Sequence, residues 1–192
     1  MARLWSLAKA SRLGILPPSR MTLTPIPGGD AGTRATLEKM KEIVWKSVRH
    51  HQHGPVIREA MIAAILKNGC APKDYVCEYK AAHEFVRDKI RWTRDARRHE
   101  TLVWPARTLM IGAGDCDDKT MLETAMLLMV GFPGVGFKAI AANPEIPDQY
   151  THVYVIADPL GKGKWIASDP TVSGAKLGWE SPVIFKHMTL EL

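Results

Sequence analysis

Residues 112–134 read GAGDCDDKTMLETAMLLMVGFPG. Gly112 and Gly114 permit backbone angles and close approaches that other residues resist. Asp115 is a favourable N-cap, and Asp118, three residues on, stands where a capping box places a carboxylate. A helix therefore opens at Cys116 and ends before Gly131. Its apolar positions, Met121, Leu122, Ala125, Met126, Leu128 and Met129, cover most of its circumference, as in a helix buried at the centre of a domain. Cys116 falls in its first turn, where unpaired N–H groups and the positive end of the helix dipole favour a thiolate. The flanking carboxylates oppose that, so their side chains are expected to turn to the backbone or to basic residues, away from the sulfur.

Working outward, the chain before this helix is helical and the chain after it strand-like. From Thr36, Leu37, Met40, Val44 and Val48 recur at helical spacing. A second helix is expected over 55–67, with Pro55 at its start, and a third over 73–92, with Val76, Tyr79, His83, Val86 and Ile90 as its buried stripe. Beyond GFPGVG come FKAIAA, THVYVIA and KWIAS, short β-branched and aromatic segments between Pro, Gly and Asp turns, and HMTLEL at the end. Helices first and strands later imply an α+β domain, an antiparallel sheet packed on a central helix. This domain is expected over 36–192. Residues 1–35, with LPPSR and PIPGGDAG, read as a basic, Pro/Gly-rich arm.

The formal net charge is +6, and its distribution is uneven: residues 1–66 hold ten Lys/Arg against four Asp/Glu, while the remainder balances. A solvated basic arm accounts for this, and docking on an acidic partner or nucleic acid is the alternative. No apolar run approaches the roughly 18 residues that cross a bilayer. The N-terminus lacks a secretory h-region, so a cytoplasmic location is expected. Of three cysteines, Cys70 and Cys77 are expected to be plain thiols in a reducing compartment. His50, His51 and His53 in HHQHG are expected to end a helix rather than to hold a metal. Arg94, Arg97 and Arg98 form a basic cluster, either a solvated loop or a feature that recognises an acidic substrate.

Two further residues suit acyl-transfer chemistry with the cysteine. Strand alternation gives His152, Tyr154 and Ile156 one face and Val153 and Val155 the other. Asp169 ends the strand KWIAS before Pro170, where its carboxylate could accept Nδ1–H from His152 and fix the ring tautomer. A cysteine at a helix N-terminus facing His and Asp on adjacent strands is a workable nucleophile, base and orienting group.

The ordered set GDCDDKTMLETAMLLMVGFPG, THVYV and KWIASDPTV resembles the transglutaminase-like cysteine enzyme superfamily, papain-like in architecture, from about Thr36 to Val172. The Asp-rich opening is similar to bacterial and phage-encoded members. The resemblance implies Cys116 as nucleophile, His152 as general base and acid, and Asp169 as the residue orienting His152. It implies an oxyanion site made by the Cys116 N–H and a second donor, for which Trp104 is the candidate and Trp92 the alternative. No cofactor or metal is expected. Counted from Asp115 as an EF-hand loop, position six is Thr120 and position twelve Met126, neither of which fits. The expected activity is thiol-dependent acyl transfer on protein or peptide amides, by transfer to an amine or to water. The alternative is a catalytically idle structural or binding module, such as a virion component, that docks through its basic arm.

Overall fold

The computed structural model describes residues 25–94 and 101–192. Most of the expected arm and both Arg97 and Arg98 lie outside the described residues. The first helix, α1 (Gly29–Arg49), starts seven residues earlier than the periodicity suggested; Leu37, Met40, Ile43 and Val44 form its buried face. Next come α2 (His53–Asn68) and α3 (Tyr75–Lys89). Gly69 stops α2 in the left-handed region at φ 64°, its N–H returning to the Ile65 and Leu66 carbonyls. Asp74 caps α3 by accepting from the Cys77 N–H at 3.1 Å. Val76, expected in the buried stripe of α3, is exposed; Tyr79, His83, Val86 and Ile90 are buried.

Cys70 and Cys77 are joined in a disulfide across the α2–α3 turn. This corrects the expectation of plain thiols, and with it goes one ground for a reducing compartment. The helix end and the next helix start bring the two Cα atoms to 5.5 Å, within the range a disulfide spans. Closing so short a loop is worth about 2–3 kcal/mol on the chain-entropy account. Cys116 is then the free cysteine.

The segment LVWPARTLMIGAG, given no element from its pattern, forms α4 (Pro105–Ile111), with Pro105 at its start and Gly112 (φ 68°) ending it. It delivers the chain into β2 (Ala113–Gly114), which pairs in parallel with β1 (Arg91–Trp92). Helix α5 (Cys116–Leu128) follows immediately. Gly114 is required here: a Cβ would come within 2.6 Å of the Asp118 Cβ.

The expected α+β fold is found. β3 (Val135–Ala141), β4 (His152–Ala157), β5 (Ile166–Ser168) and β6 (Lys186–Glu191) form an antiparallel sheet in the order β5-β4-β3-β6. Val135, Phe137, Ala139, Val153 and Val155 bury one sheet face in a core shared with Met121, Leu122, Ala125, Met126 and Leu127 of α5. Each such large apolar side chain contributes about 1.5–3 kcal/mol on burial. Ile140, Tyr154, Ile156 and Ala167 make a smaller cluster on the opposite face. Among the described residues no helix is long and apolar enough to cross a membrane.

Candidate active site

Helix α5 begins as its capping residues dictate. The Asp115 side chain accepts from the Asp118 N–H at 3.5 Å, and Cys116 is the first helical residue. Asp118 also serves another segment, its Oδ1 accepting from the Val103 N–H at 2.8 Å and holding the approach to α4 against the start of α5.

Cys116 and His152 line one cavity of about 650 Å³. Its walls also include Trp92, Arg94, Asp117 and Tyr150, with Gly32, Thr33 and Thr36 of α1 opposite. Asp169, only 3% exposed, accepts a 2.7 Å hydrogen bond from His152 Nε2. The expectation had the carboxylate on Nδ1; the ring is turned the other way, and Nε2 makes the contact. Thr171 completes the clamp on Asp169. Its N–H donates to Oδ1 at 3.0 Å, its hydroxyl donates to the same oxygen, and that hydroxyl lies 3.3 Å from His152 Nε2. Burial works to raise the Asp169 carboxyl, but the His152 and Thr171 hydrogen bonds outweigh it and hold it below its ordinary value.

The sulfur has a different partner. The Cys116 thiol donates to Asp117 Oδ1 at 3.2 Å and makes no hydrogen bond to His152. This corrects the expectation that the carboxylates turn away from the sulfur: on the first turn, Asp117 is the side chain within reach. Burial first, then the Asp117 charge and hydrogen bond and the Asp115 charge, push the thiol well above its ordinary range; the Val153 N–H works in the opposite direction.

Trp104 does not line this cavity. It is the N-cap residue of α4, and its indole packs edge-on to His53, with ring centroids 5.4 Å apart. It lines a separate cavity with Trp45, Arg49, His50 and His51. Trp92 is the indole on the Cys116 cavity wall, held there by β1 pairing beside the strand that leads into the cysteine. His50 ends α1 as expected, its Nδ1 accepting from the Gln52 and His53 N–H groups at 3.2 and 3.4 Å. Among the described residues no group of three or more His, Cys, Asp or Glu side chains could hold a metal ion.

Sequence reading missed the polar network beneath the site. The hydroxyl of Ser168 lies 2.5 Å from Glu123 Oε1 and 2.8 Å from His83 Nδ1. His83 Nε2 is 2.9 Å from the Ala175 carbonyl, which also accepts from Arg87 at 2.7 Å. A carbonyl only accepts, so His83 carries its hydrogen on Nε2. Burial pushes the His83 ring towards its neutral form, and the Ser168 hydroxyl donates to Glu123 Oε1. Burial pushes the Glu123 carboxyl up to about 8. The available signal was compositional: Lys119, Thr120 and Glu123 interrupt an otherwise apolar helix at three, four and seven residues beyond Cys116.

No protein-family model matches the sequence, and a search of curated proteins finds no match. Solved structures do match. LapG of Legionella pneumophila superposes with a TM-score of 0.50 at 15% identity, covering 84% of this chain and 82% of that one. Its calcium-bound form gives 0.50 at 16% identity, over 77% and 80%. Its EGTA-treated form gives 0.50 at 15% identity, over 84% and 80%. The chain thus shares its fold with LapG, an α+β arrangement as expected.

Proposed function

We propose that the protein is a thiol-dependent acyl-transfer enzyme acting on protein or peptide amides through Cys116, His152 and Asp169. The observation that carries this reading is the 2.7 Å hydrogen bond to buried Asp169 from His152, which lines the same cavity as a helix-N-terminal cysteine. In the proposed cycle the thiol leaves Asp117 by side-chain rotation and gives its proton to His152 Nδ1. The thiolate attacks the amide carbonyl. Asp169, on Nε2, stabilises the imidazolium as it forms and keeps the ring oriented. The Cys116 N–H supports the oxyanion, and Trp92 is better placed than Trp104 to be the second donor. Imidazolium then protonates the departing amine, leaving a Cys116 thioester, and water or a second amine resolves it with His152 again as base. A peptidase or amidase uses water, and a transglutaminase-like enzyme uses the amine. No cofactor or metal enters the cycle.

The test uses the lone free thiol. Iodoacetamide labelling followed by intact mass should show Cys116 reacting faster at pH 7 than in a His152→Ala variant, and Cys116→Ala should abolish amide turnover. Equal labelling with and without His152, together with full turnover by Cys116→Ala, would refute the mechanism.

One observation favours an idle binding module instead: the thiol engages Asp117, and burial and charge keep it protonated. In that reading the basic N-terminal residues dock on an acidic partner. Labelling would then be slow throughout pH 6–8 with or without His152, and partner binding would be lost on deleting residues 1–24.

A further inference from the structure

The stripe of buried polar residues on α5 makes three connections, each to a residue adjacent in sequence to a member of the proposed relay. Lys119 is 2% exposed, and its Nζ donates to the Pro170 carbonyl at 2.9 Å, immediately after Asp169. The fully buried Thr120 hydroxyl donates to the Val153 carbonyl at 3.2 Å, immediately after His152. Glu123, also fully buried, meets Ser168, immediately before Asp169. The same helix carries Cys116 at its first turn.

Burying a lysine, a threonine and a glutamate in the middle of an apolar core is costly unless each is satisfied by a specific partner. Apolar residues of similar volume would have packed the helix without that cost. The partners are not scattered. All three lie on the two segments that carry His152 and Asp169, and none of the three side chains lines the cavity.

We infer that Lys119, Thr120 and Glu123 are positioning residues, which fix the His152 and Asp169 segments directly to the helix bearing Cys116 and so set the distance across the relay. This rests on the acyl-transfer reading. It adds that the nucleophile's own helix sets the register of the base and its orienting acid.

Lys119 has a second effect. Its ammonium is the buried cation on this stripe, faced by Asp169, Glu123 and, from α3, Asp88. The Cys116 sulfur is faced by Asp115 and Asp117, with His152 and Arg94 on the same cavity wall. Removing a cation from this acidic surrounding disfavours a thiolate, so the pH at which Cys116 becomes reactive should rise.

The experiment is the pH profile of Cys116 alkylation by iodoacetamide, measured from pH 5 to 10 on the full chain. Wild type, His152→Ala, Lys119→Met, Thr120→Val and Thr120→Ser are compared, with folding checked by circular dichroism. Lys119→Met should lower the rate at pH 7 about tenfold and displace the midpoint upward by about half a unit. Thr120→Val, nearly isosteric, should lower the plateau rate about threefold, and Thr120→Ser, which keeps the hydroxyl, should restore it. If Lys119→Met fails to fold, the Thr120 pair decides.

Failure of the parent reading would look different: His152→Ala would then reproduce the wild-type profile. The positioning role is overturned if His152→Ala changes the profile while the folded Lys119 and Thr120 variants overlay wild type.

Discussion

His152 and Cys116 open onto the same cavity, yet their surroundings differ sharply. The His152 ring is held by Asp169, which Thr171 grips through both its backbone and its hydroxyl, and the segments behind are pinned to α5 by Lys119 and Thr120. The Cys116 thiol donates to a neighbouring carboxylate that opposes its ionisation, and burial and charge outweigh the Val153 N–H that favours it. The His152 ring is held in place, and the Cys116 thiol is held in its protonated form. In such an arrangement the cost of activation falls on one side-chain rotation and one proton transfer, and substrate entering the cavity is the natural agent to displace the thiol from Asp117. The region with more fixed hydrogen bonds should therefore lose most when it is cut, and the region with an opposing charge should gain.

The largest effect is expected where the held side is broken. Asp169→Ala removes the acceptor on Nε2 and should lower Cys116 alkylation at pH 7 about a hundredfold. A change below threefold would mean the ring is not oriented by this carboxylate. Next is the support beneath it. Glu123 titrates near 8 in the folded chain against an ordinary 4.5. The folded state thus holds that proton more tightly than the unfolded one. The resulting stabilisation is complete below pH 4.5 and is lost as pH climbs to about 8. Glu123→Gln has no such proton. Its stability relative to wild type should rise by about 3–4 kcal/mol between pH 5 and pH 8, read from urea midpoints. A constant difference would show that Glu123 is not protonated inside the fold.

The Cys116 side should respond in the opposite direction. Asp117→Asn keeps the shape but removes the charge that pushes the thiol up, so alkylation at pH 7 should increase about fivefold. A decrease would mean that Asp117 assists the sulfur. The smallest effect belongs to Trp104→Phe, which should change alkylation and turnover less than about twofold, because the indole lies on another cavity. A large loss of turnover would return Trp104 to the oxyanion site.

The fold was legible where the signal was local and repetitive. The α5 boundaries followed from Asp115 and Gly131, and the strands followed from the short β-branched and aromatic runs FKAIAA, THVYVIA and KWIAS between turn residues. Short α4 was hidden because seven residues give barely two turns of periodicity, and the parallel β1–β2 pair joins segments far apart in the chain. The three proposed site residues could be named in advance because each sits at an element end with a recognisable cap or breaker. Which imidazole nitrogen meets Asp169, and which way Asp117 points, depend on side-chain rotation, which residue spacing does not encode. The disulfide escaped because pairing depends on how the α2–α3 turn is shaped, and the Lys119–Thr120–Glu123 stripe because its partners come from β4 and β5.

The most direct measurement is mass-spectrometric capture of the covalent intermediate. The protein is mixed with a peptide library, quenched in acid and analysed by intact mass and peptide mapping. The expected result is an acyl adduct on Cys116, absent from Cys116→Ala and strongly reduced in His152→Ala. Peptide turnover with no adduct on Cys116, undiminished in Cys116→Ala, would contradict it.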